Sequence, residues 1–373
     1  YLITLIMKMK PDEHEFKVMG LSSYSKKQHF LDIYEKVFKG ILKFRGLKIV
    51  HNNRPADLYD FLLKKTENYR FDNKAGAVQF YLELMMIKLL KKINKKYKVR
   101  NFYFGGGLSM NVKMYNSFGN QKFVDFISVP PSGSDESLSL GACYYLSKRR
   151  PTKPLTNIYI GKNLLADNKQ LNYHTLSKFF PSKKFKIVEN FRHKDLAYLL
   201  SKDEIIAVVR GREEFGARAL GNRSIIANPS NYDVVKKINE SIKNRDFWMP
   251  FALTILKEKH KQYIRNEKNF RCDFMTMAFN TKKNNFNKIR AGCHPYDNTV
   301  RPQILDKEFN PKYYSIIKEF EALTKIPALL NTSLNLHGYP LASGLKNVIF
   351  TFKHSELKFL YINDKFLIKK KYI

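Results

Sequence analysis

The amino-acid sequence predicts an α/β protein. Stretches whose apolar residues recur every three or four positions, as on one face of a helix, alternate with short β-branched stretches that predict strands. Glycines and prolines separate these stretches, and such an alternation is typical of helices packed on a sheet. With 373 residues, the chain is long enough for two domains with separate cores.

The first part of the chain contains a predicted long helix, two strands and a second helix. These elements cover residues 77–93, 99–104, 123–130 and 135–147. The segment 147–157 contains two prolines and four basic residues, a composition that indicates a domain boundary. We therefore predict two domains, 1–155 and 156–373.

The second part continues the alternation of strands and helices. Strands are predicted at 185–189, 204–210, 251–256, 300–305 and 327–330, and helices at 193–202, 232–242 and 313–324. Both predicted domains are therefore α/β.

The chain is strongly basic, because lysine and arginine exceed aspartate and glutamate by 34 charges. Such a field attracts nucleotides, phosphates, RNA and acidic lipids without selecting among them. Lysine runs at 91–98 and 369–372 have the composition of solvated surfaces, and we prefer that interpretation to a nucleic-acid interface.

Cysteine usage and hydropathy bear on localisation. The three cysteines are far apart and form no Cys-x-x-Cys motif, which argues against a disulfide scaffold or a zinc site. No apolar run approaches the length of about 18–20 residues that a membrane helix needs. We therefore expect a cytoplasmic protein that is not membrane-bound.

Glycines and an aspartate mark two candidate ligand-binding turns. Gly105, Gly106 and Gly107 follow a predicted strand, so backbone N–H groups there can approach a phosphate. A simple tight turn is the alternative, although one glycine would be sufficient for it. Asp135 lies in the first turn of a predicted helix, either as a stabilising charge or as a metal ligand.

Several arginines follow the predicted strand at 204–210, where ligand sites of α/β proteins usually form. Arg212, Arg218 and Arg223 are the candidates, because guanidinium groups bind phosphate and carboxylate oxygens through paired hydrogen bonds. Glu213 and Glu214 leave an internal salt-bridge network as the alternative.

Two later segments add basic and small polar groups. Lys243 and Arg245 lie two residues apart at the end of a predicted helix. Asn331, Ser333 and Asn335 follow a buried strand, where small polar groups suit nucleotide phosphates.

A further segment combines a possible nucleophile with a possible anion pocket. Asp297, Thr299 and Arg301 lie before a predicted strand and suit an anion pocket. Cys293 and His294 do not predict a nucleophilic pair, because adjacent residues on an extended chain point to opposite sides.

Seven segments strongly resemble, in the same order, the nodulation-type O-carbamoyltransferases, enzymes that attach a carbamoyl group to sugars and antibiotics. The segments are HEFKVMGLSSYS, GGGLSMN, PPSGSDESLSLGA, GREEFGARALGNRSI, KNRDFWMPF, DNTVRPQ and PALLNTSLNLHGYP. Because they extend over nearly the whole chain, the resemblance is specific.

The resemblance implies a partial lobe of the actin/sugar-kinase type followed by a YrdC-like α/β domain. In the family, the YrdC-like domain makes carbamoyl adenylate from carbamoyl phosphate and ATP. The first domain then transfers the carbamoyl group to an acceptor hydroxyl beside bound iron. The family's Lys-x-Arg and Ser-x-Asn signatures correspond to Lys243, Arg245, Ser333 and Asn335.

The resemblance also implies roles for the other candidates. Gly105, Gly106, Gly107 and Asn111 would bind the nucleotide with Arg301 and Asn331, and Asp135 would be a metal ligand. The residues expected to stabilise charge as pyrophosphate leaves are Arg212, Arg218, Arg223, Lys243 and Arg245. Magnesium is expected with ATP.

The sequence departs from the family at three points. It has no counterpart of the family's first lobe, which carries two metal-binding histidines, and its nine histidines form no His-x-x-x-His pair. Ala217 replaces a usual proline, and Ser22-Ser23-Tyr24 replaces Ala-Pro-Tyr. We expect a truncated chain that retains adenylate formation and is incomplete for the transfer step, with the first lobe lost or supplied separately.

Two other functions fit the sequence. Enzymes of tRNA threonylcarbamoylation share both domain types, and the positive charge suits RNA. A basic nucleic-acid-binding protein without catalysis would need no ordered phosphate pocket, and its affinity for RNA would fall steeply with salt.

Overall fold

A mixed sheet of eight strands forms the centre of the protein. The computed structural model describes residues 1–147, 157–165 and 171–371. The mixed α/β class predicted from the sequence is confirmed. The predicted boundary at 147–157 lies, except for its two end residues, outside the described residues.

The described part of the chain contains twelve α-helices and fourteen strands. The helices are α1 (Leu2–Ile6), α2 (Glu15–Leu21), α3 (Lys27–Ile33), α4 (Leu58–Thr66), α5 (Phe71–Tyr97), α6 (Val112–Gly119), α7 (Leu138–Ser147), α8 (Tyr173–Phe179), α9 (His193–Ser201), α10 (Asp233–Ile238), α11 (Pro311–Thr324) and α12 (Leu345–Lys353). The strands are β1 (Leu42–Arg45), β2 (Lys48–His51), β3 (Asn101–Tyr103), β4 (Phe126–Ser128), β5 (Phe185–Val188), β6 (Ile206–Val209), β7 (Arg223–Ala227), β8 (Ala252–Leu256), β9 (Phe279–Asn280), β10 (Thr299–Val300), β11 (Pro302–Leu305), β12 (Ala328–Ser333), β13 (Phe359–Ile362) and β14 (Phe366–Lys370).

The large sheet has the strand order β11-β8-β12-β7-β6-β13-β14-β5. The pairs β11–β8 and β6–β13 are parallel, and the other neighbours are antiparallel. In the middle of the sheet, Asn331 of β12 pairs with Ile226 of β7 and with Ala252 of β8. This register brings the end of β12 next to the start of β7, where candidate site residues occur on both strands.

Both faces of the sheet are covered by apolar side chains. On β6, Ile206 and Val208 contribute to one core cluster, which includes residues of α9 and α11. Ala207 and Val209 contribute to another, which includes residues of α8, α10 and α12. Because successive side chains of a strand point to opposite faces, a strand buried on both sides is apolar throughout.

The amino-terminal part packs against this sheet domain instead of standing apart from it. Phe102 of β3 and Ile127 of β4 belong to the same core cluster as Ile206 of β6. A separate apolar cluster joins α1, α2, α3 and α5, and Trp248, the sole tryptophan of the chain, packs against it. The two parts therefore contact each other through two apolar clusters.

Among the described residues, the helices are too short or too polar to span a bilayer.

Candidate functional site

A cavity of about 940 Å³ lies where the amino-terminal helices meet the sheet domain. The amino-terminal side of its wall comes from α2, the turn after α2 and the start of α6. The other side comes from the loop between β6 and β7, from the residues after the helical turn Asn239–Lys243 and from β10. Segments that are distant in sequence therefore contribute residues to the wall of one cavity.

Three arginines lie on the wall of this cavity. Arg218 lies between β6 and β7, Arg245 follows the turn Asn239–Lys243, and Arg301 lies between β10 and β11. The guanidinium carbon of Arg245 lies 5.3 Å from the ring centroid of Phe251. Among the described residues, no carboxylate forms an ion pair with any of the three arginines, and the buried Nε of Arg301 has no hydrogen-bond partner.

The three guanidinium groups are close enough to affect each other's ionisation. Burial and the neighbouring Arg245 lower the pKa of Arg218 to about 10. Burial lowers the pKa of Arg245, and burial with Arg218 and Arg245 lowers the pKa of Arg301. Partly buried cations without counter-charges are unfavourable, so the cavity is suited to an anion that contacts several of them.

Lys243 precedes Arg245 by two residues and is only 2% exposed. Its Nζ donates hydrogen bonds to Oδ1 of Asn335 at 2.6 Å and to Oγ of Ser333 at 3.1 Å. Burial and the charge of Arg245 lower the pKa of Lys243 to about 6, although the oxygen contacts favour the ammonium form. The structure thus brings together the Lys-x-Arg and Ser-x-Asn segments predicted to share a site.

Asn331 lies beneath the cavity in the interior of the sheet. It is 1% exposed, and its Nδ2 donates to the carbonyl oxygen of Ala219 at 3.2 Å and to Oγ1 of Thr254 at 3.0 Å. Because Ala219 directly follows Arg218, Asn331 supports the loop that carries this arginine. Asn331 does not line the cavity, and its predicted direct contact with a substrate stays a prediction.

Arg223 lies outside the cavity, unlike its predicted placement. It is fully buried at the start of β7, and its guanidinium donates to the carbonyl oxygens of Arg210 at 2.6 Å, Ser343 at 2.9 Å and Gly211 at 3.1 Å. Because its guanidinium is bonded to backbone carbonyl oxygens, Arg223 holds the loop together. The predicted contact of Arg223 with phosphate does not fit this position.

Arg212 also lies outside the cavity. Its exposed side chain donates from Nη2 to the carbonyl oxygen of Ile160 at 2.5 Å. Glu214, considered above as a partner of these arginines, instead accepts backbone hydrogen bonds at Oε1 from Leu220 and Asn222, both at 2.7 Å. Glu214 therefore shapes the turn that presents Arg218.

The glycine run reaches the cavity at one of its three residues. Gly107 lines the cavity, and Gly105 and Gly106 precede it in an exposed loop. Gly106 has a φ of +87°, which favours glycine. Asn111 caps α6 by accepting from the backbone N–H of Met114 at 3.2 Å and bonds to Gln79 of α5, so its contacts fix α6.

Asp135 is exposed at the start of the turn Asp135–Ser137, and its neighbours Ser134 and Glu136 line the cavity. Within the described ranges, no group of three or more His, Cys, Asp or Glu side chains is placed to hold a metal ion. The residues described here do not fit the iron site that the resemblance implied, because Asp135 has no co-ligands among them.

Cys293 and His294 each contact a backbone carbonyl oxygen. Cys293 is 2% exposed, burial raises the pKa of its thiol, and its Sγ donates to the carbonyl oxygen of Ile289 at 3.3 Å. Nε2 of His294 lies 3.0 Å from the carbonyl oxygen of Gly20. Both groups therefore have backbone partners.

Lys113 was not predicted as a site residue, yet it lines the cavity with Ser23. Its Nζ lies 2.8 Å from Oδ2 of Asp297, and it also contacts Oγ of Ser23. A single lysine near the start of an amphipathic helix carries no signal in the sequence that would distinguish it from a solvated lysine.

Two family models together match most of the chain. The model described as Carbamoyltransferase N-terminus matches residues 1–144, and the model described as Carbamoyltransferase C-terminus matches residues 197–370. All the cavity residues discussed above lie within these two ranges.

Curated relatives match almost the full length of the chain. The uncharacterized protein MJ1051 of Methanocaldococcus jannaschii is 32% identical over 99% of this chain and 71% of its own length. Nodulation protein NolO of Bradyrhizobium diazoefficiens is 27% identical over 96% of this chain and 66% of its own, and nodulation protein NolNO of Sinorhizobium fredii is 25% identical over 96% and 53%. The chain thus spans between about half and 71% of these relatives.

Among solved structures, full-length HypF in its phosphate- and nucleotide-bound form shares 16% identity, covering 46% of this chain and 21% of HypF, with a TM-score of 0.31. A score this low does not establish a common fold.

Proposed function

This chain belongs to the carbamoyltransferase family, and from that premise we propose that its cavity forms carbamoyl adenylate from carbamoyl phosphate and ATP. The observation that carries the proposal is the convergence of Arg218, Arg245 and Arg301 on one cavity, without ion pairs to any of the described carboxylates. The actin-like and YrdC-like assignments of the two parts belong to this proposal as well.

The proposed reaction has two stages that need positive charge. Water cleaves carbamoyl phosphate to carbamate and phosphate, and a carbamate oxygen then attacks the α-phosphorus of ATP. The bond from the α-phosphorus to the bridging oxygen breaks, and pyrophosphate leaves with the electron pair. Fixed cations close to the phosphate oxygens stabilise the charge that moves in this step.

Each cation of the site has a distinct place in this scheme. The three cavity arginines would bind phosphate oxygens through paired hydrogen bonds. Lys243, held by Ser333 and Asn335, would supply a further positive charge once an anion raises its proton affinity. Gly107, on the opposite wall, leaves room for the nucleotide because it has no side chain. Mg²⁺ would enter as the complex with ATP.

Transfer to an acceptor is the second half of the proposed activity. A hydroxyl of a sugar or secondary metabolite would attack the carbamoyl carbon, and AMP would leave. The described residues do not form an iron site, so we derive no transfer step that uses one.

The net charge of +34 also favours a second candidate, an enzyme or binding protein that acts on RNA. Such a protein would use exposed lysines more than the enclosed arginines of the cavity. Binding of RNA that weakens steeply with salt, without nucleotide turnover, would support this candidate.

The deciding experiment measures pyrophosphate released from ATP with and without carbamoyl phosphate. We expect release that depends on carbamoyl phosphate and that Arg245→Ala lowers by about 10²-fold or more. Arg212→Ala is the matched control, because Arg212 belongs to the same arginine-rich segment but lies outside the cavity. Equal losses in both variants, or no release by the wild type, would contradict the proposal.

A further inference from the structure

A closed group of three polar side chains joins the two parts of the molecule beside the cavity. Ser23 follows α2, Lys113 lies in the first turn of α6, and Asp297 precedes β10. Nζ of Lys113 donates to Oδ2 of Asp297 at 2.8 Å and to Oγ of Ser23, and the Ser23 hydroxyl also bonds to Asp297. Lys113 and Asp297 are 21% and 24% exposed, so the ion pair is largely shielded from solvent.

Asp297 connects this group to the arginine cluster. Its Oδ1 accepts hydrogen bonds from the backbone N–H of Thr299 at 2.9 Å and from Oγ1 of Thr299 at 2.7 Å. Thr299 and Val300 form β10, Arg301 follows directly, and all three residues line the cavity. Asp297 therefore supports, together with the pairing of β10 with β9, the backbone that leads into Arg301.

Arg301 needs such support because its surroundings repel it. Arg218 and Arg245 are both close enough to lower its pKa, and no described carboxylate pairs with it. Like charges in a partly buried site are unfavourable and tend to separate. The pairing of β10 with β9 holds the backbone on one side of Arg301, and the Asp297 carboxylate adds two hydrogen bonds to Thr299 that do not neutralise Arg301.

A direct chemical role for the group fits the geometry less well. Lys113 and His294 hold the pKa of Asp297 below its usual range although burial acts to raise it, which makes its carboxylate a weak base. His294 has its Nε2 at 3.0 Å from the carbonyl oxygen of Gly20 and accepts the backbone N–H of Tyr296 at Nδ1, at 3.2 Å. Neither group is free to take a proton from a substrate.

We propose that Lys113 is a positioning residue for Arg301: it holds Asp297, which holds Thr299 and so sets the guanidinium of Arg301 against Arg218 and Arg245. This inference rests on the proposed function of the cavity as a phosphate site. Lys113 lies in the region matched by the N-terminal family model and Arg301 in that matched by the C-terminal model. One part of the chain thereby sets the anion affinity of the other.

The test measures binding of inorganic pyrophosphate by calorimetry. Lys113→Ala is expected to weaken binding by about tenfold, and Asp297→Asn by a similar factor, because either change weakens the side-chain support of Thr299 beside Arg301. Lys113→Arg keeps a charge for Asp297 and should restore most of the affinity. Lys268→Ala is the matched control, since Nζ of Lys268 joins the same two parts through the carbonyl oxygens of Gln121 at 2.7 Å and Val124 at 2.5 Å.

A double-mutant cycle separates positioning from direct contact. If Lys113 acts through Arg301, then Lys113→Ala should weaken binding no further in an Arg301→Ala background. Additive losses would show that Lys113 touches the anion itself and would overturn the inference. So would wild-type affinity in Lys113→Ala, or losses in Lys268→Ala that match those of Lys113→Ala. Should Lys113→Ala fail to fold, Asp297→Asn carries the same cycle.

The outcome can be separated from that of the proposed reaction. If the wild type releases no pyrophosphate from ATP but the cycle shows coupling between Lys113 and Arg301, the reaction is wrong and the positioning role stands. If the wild type releases pyrophosphate from ATP but the cycle shows no coupling between Lys113 and Arg301, the reaction stands and the positioning role is wrong. A wild type that does not bind pyrophosphate would contradict both.

Discussion

Arginines occupy two contrasting environments in this molecule. Arg218, Arg245 and Arg301 face a cavity and form no ion pair with any described carboxylate, whereas Arg210 is buried beside the carboxylate of Asp364 and Arg223 is buried among backbone carbonyl oxygens. Nε of Arg210 lies 2.9 Å from Oδ1 of Asp364, and the Arg223 guanidinium is surrounded by carbonyl oxygens. The first environment costs stability unless an anion enters, and the second stabilises the fold.

The contrast is sharpest within a single segment. Arg218 and Arg223 are five residues apart, and Glu214 organises the turn between them by accepting backbone N–H groups. Arg218 lies on the cavity wall, whereas Arg223 bonds to backbone carbonyl oxygens and holds the loop together. Stability and ligand binding should therefore respond separately to changes at the two positions.

The largest expected effect is on stability, for Arg223→Met. The change leaves several buried carbonyl oxygens without donors, so the free energy of unfolding should fall by about 3–5 kcal/mol. Urea denaturation followed by circular dichroism measures this loss. A loss below about 1 kcal/mol would mean that the carbonyl cage does not stabilise the loop.

Arg218→Ala should impair the reaction without lowering stability. Carbamoyl adenylate formation is expected to fall by about 10²-fold or more, because a cation close to the phosphates is removed. The unfolding midpoint should stay constant or rise, since a repelled charge is lost. A lowered midpoint with an unchanged rate would assign Arg218 to the structural class.

The lowered pKa of Lys243 should make the free energy of unfolding depend on pH. Its pKa is lowered to about 6 in the folded state from an ordinary value of 10.5, so between these values the unfolded state binds more protons at this site. Its contribution therefore makes stability rise with pH across that window, by up to about 1.4 kcal/mol per unit. Unfolding free energies of wild type and Lys243→Met, compared from pH 6.5 to 9, should diverge with this slope. Parallel curves would contradict the lowered pKa.

The smallest effect is expected for Arg212→Ala. Its exposed side chain bonds one carbonyl oxygen, so stability should change by less than about 0.5 kcal/mol and the rate of pyrophosphate release by less than about twofold. A loss comparable to that of Arg218→Ala would remove the distinction drawn between cavity and surface arginines.

Local patterns were sufficient to predict many elements. The predicted helix at 77–93 lies within α5, and the predicted strands at 251–256 and 327–330 correspond to β8 and β12. Strand β7 was not predicted, because its arginine and serine at 223 and 224 interrupt the apolar pattern. The Arg223 side chain is buried by hydrogen bonds to distant backbone oxygens, which no local periodicity shows, and the Ser224 hydroxyl accepts the backbone N–H of Gly221.

Site residues were predictable where residue type alone determines chemistry. Arg218, Arg245 and Arg301 were predicted to act on phosphates and line one cavity, and Lys243, predicted with them, bonds to Asn335. Arg212 and Arg223 have the same side chain and differ only in their neighbours. Those neighbours include Ser343, 120 positions away from Arg223, and such pairings arise only in the folded chain.

Trp248 packs where the amino-terminal helices meet the sheet domain, three residues after Arg245. Its ring lies 5.0 Å from that of Phe247, and Met249 beside it lines the cavity. Since the chain has no second tryptophan, its indole emission comes from one place. The unlabelled protein thus has a built-in optical probe, and we expect its spectrum to shift when a nucleotide fills the adjoining space.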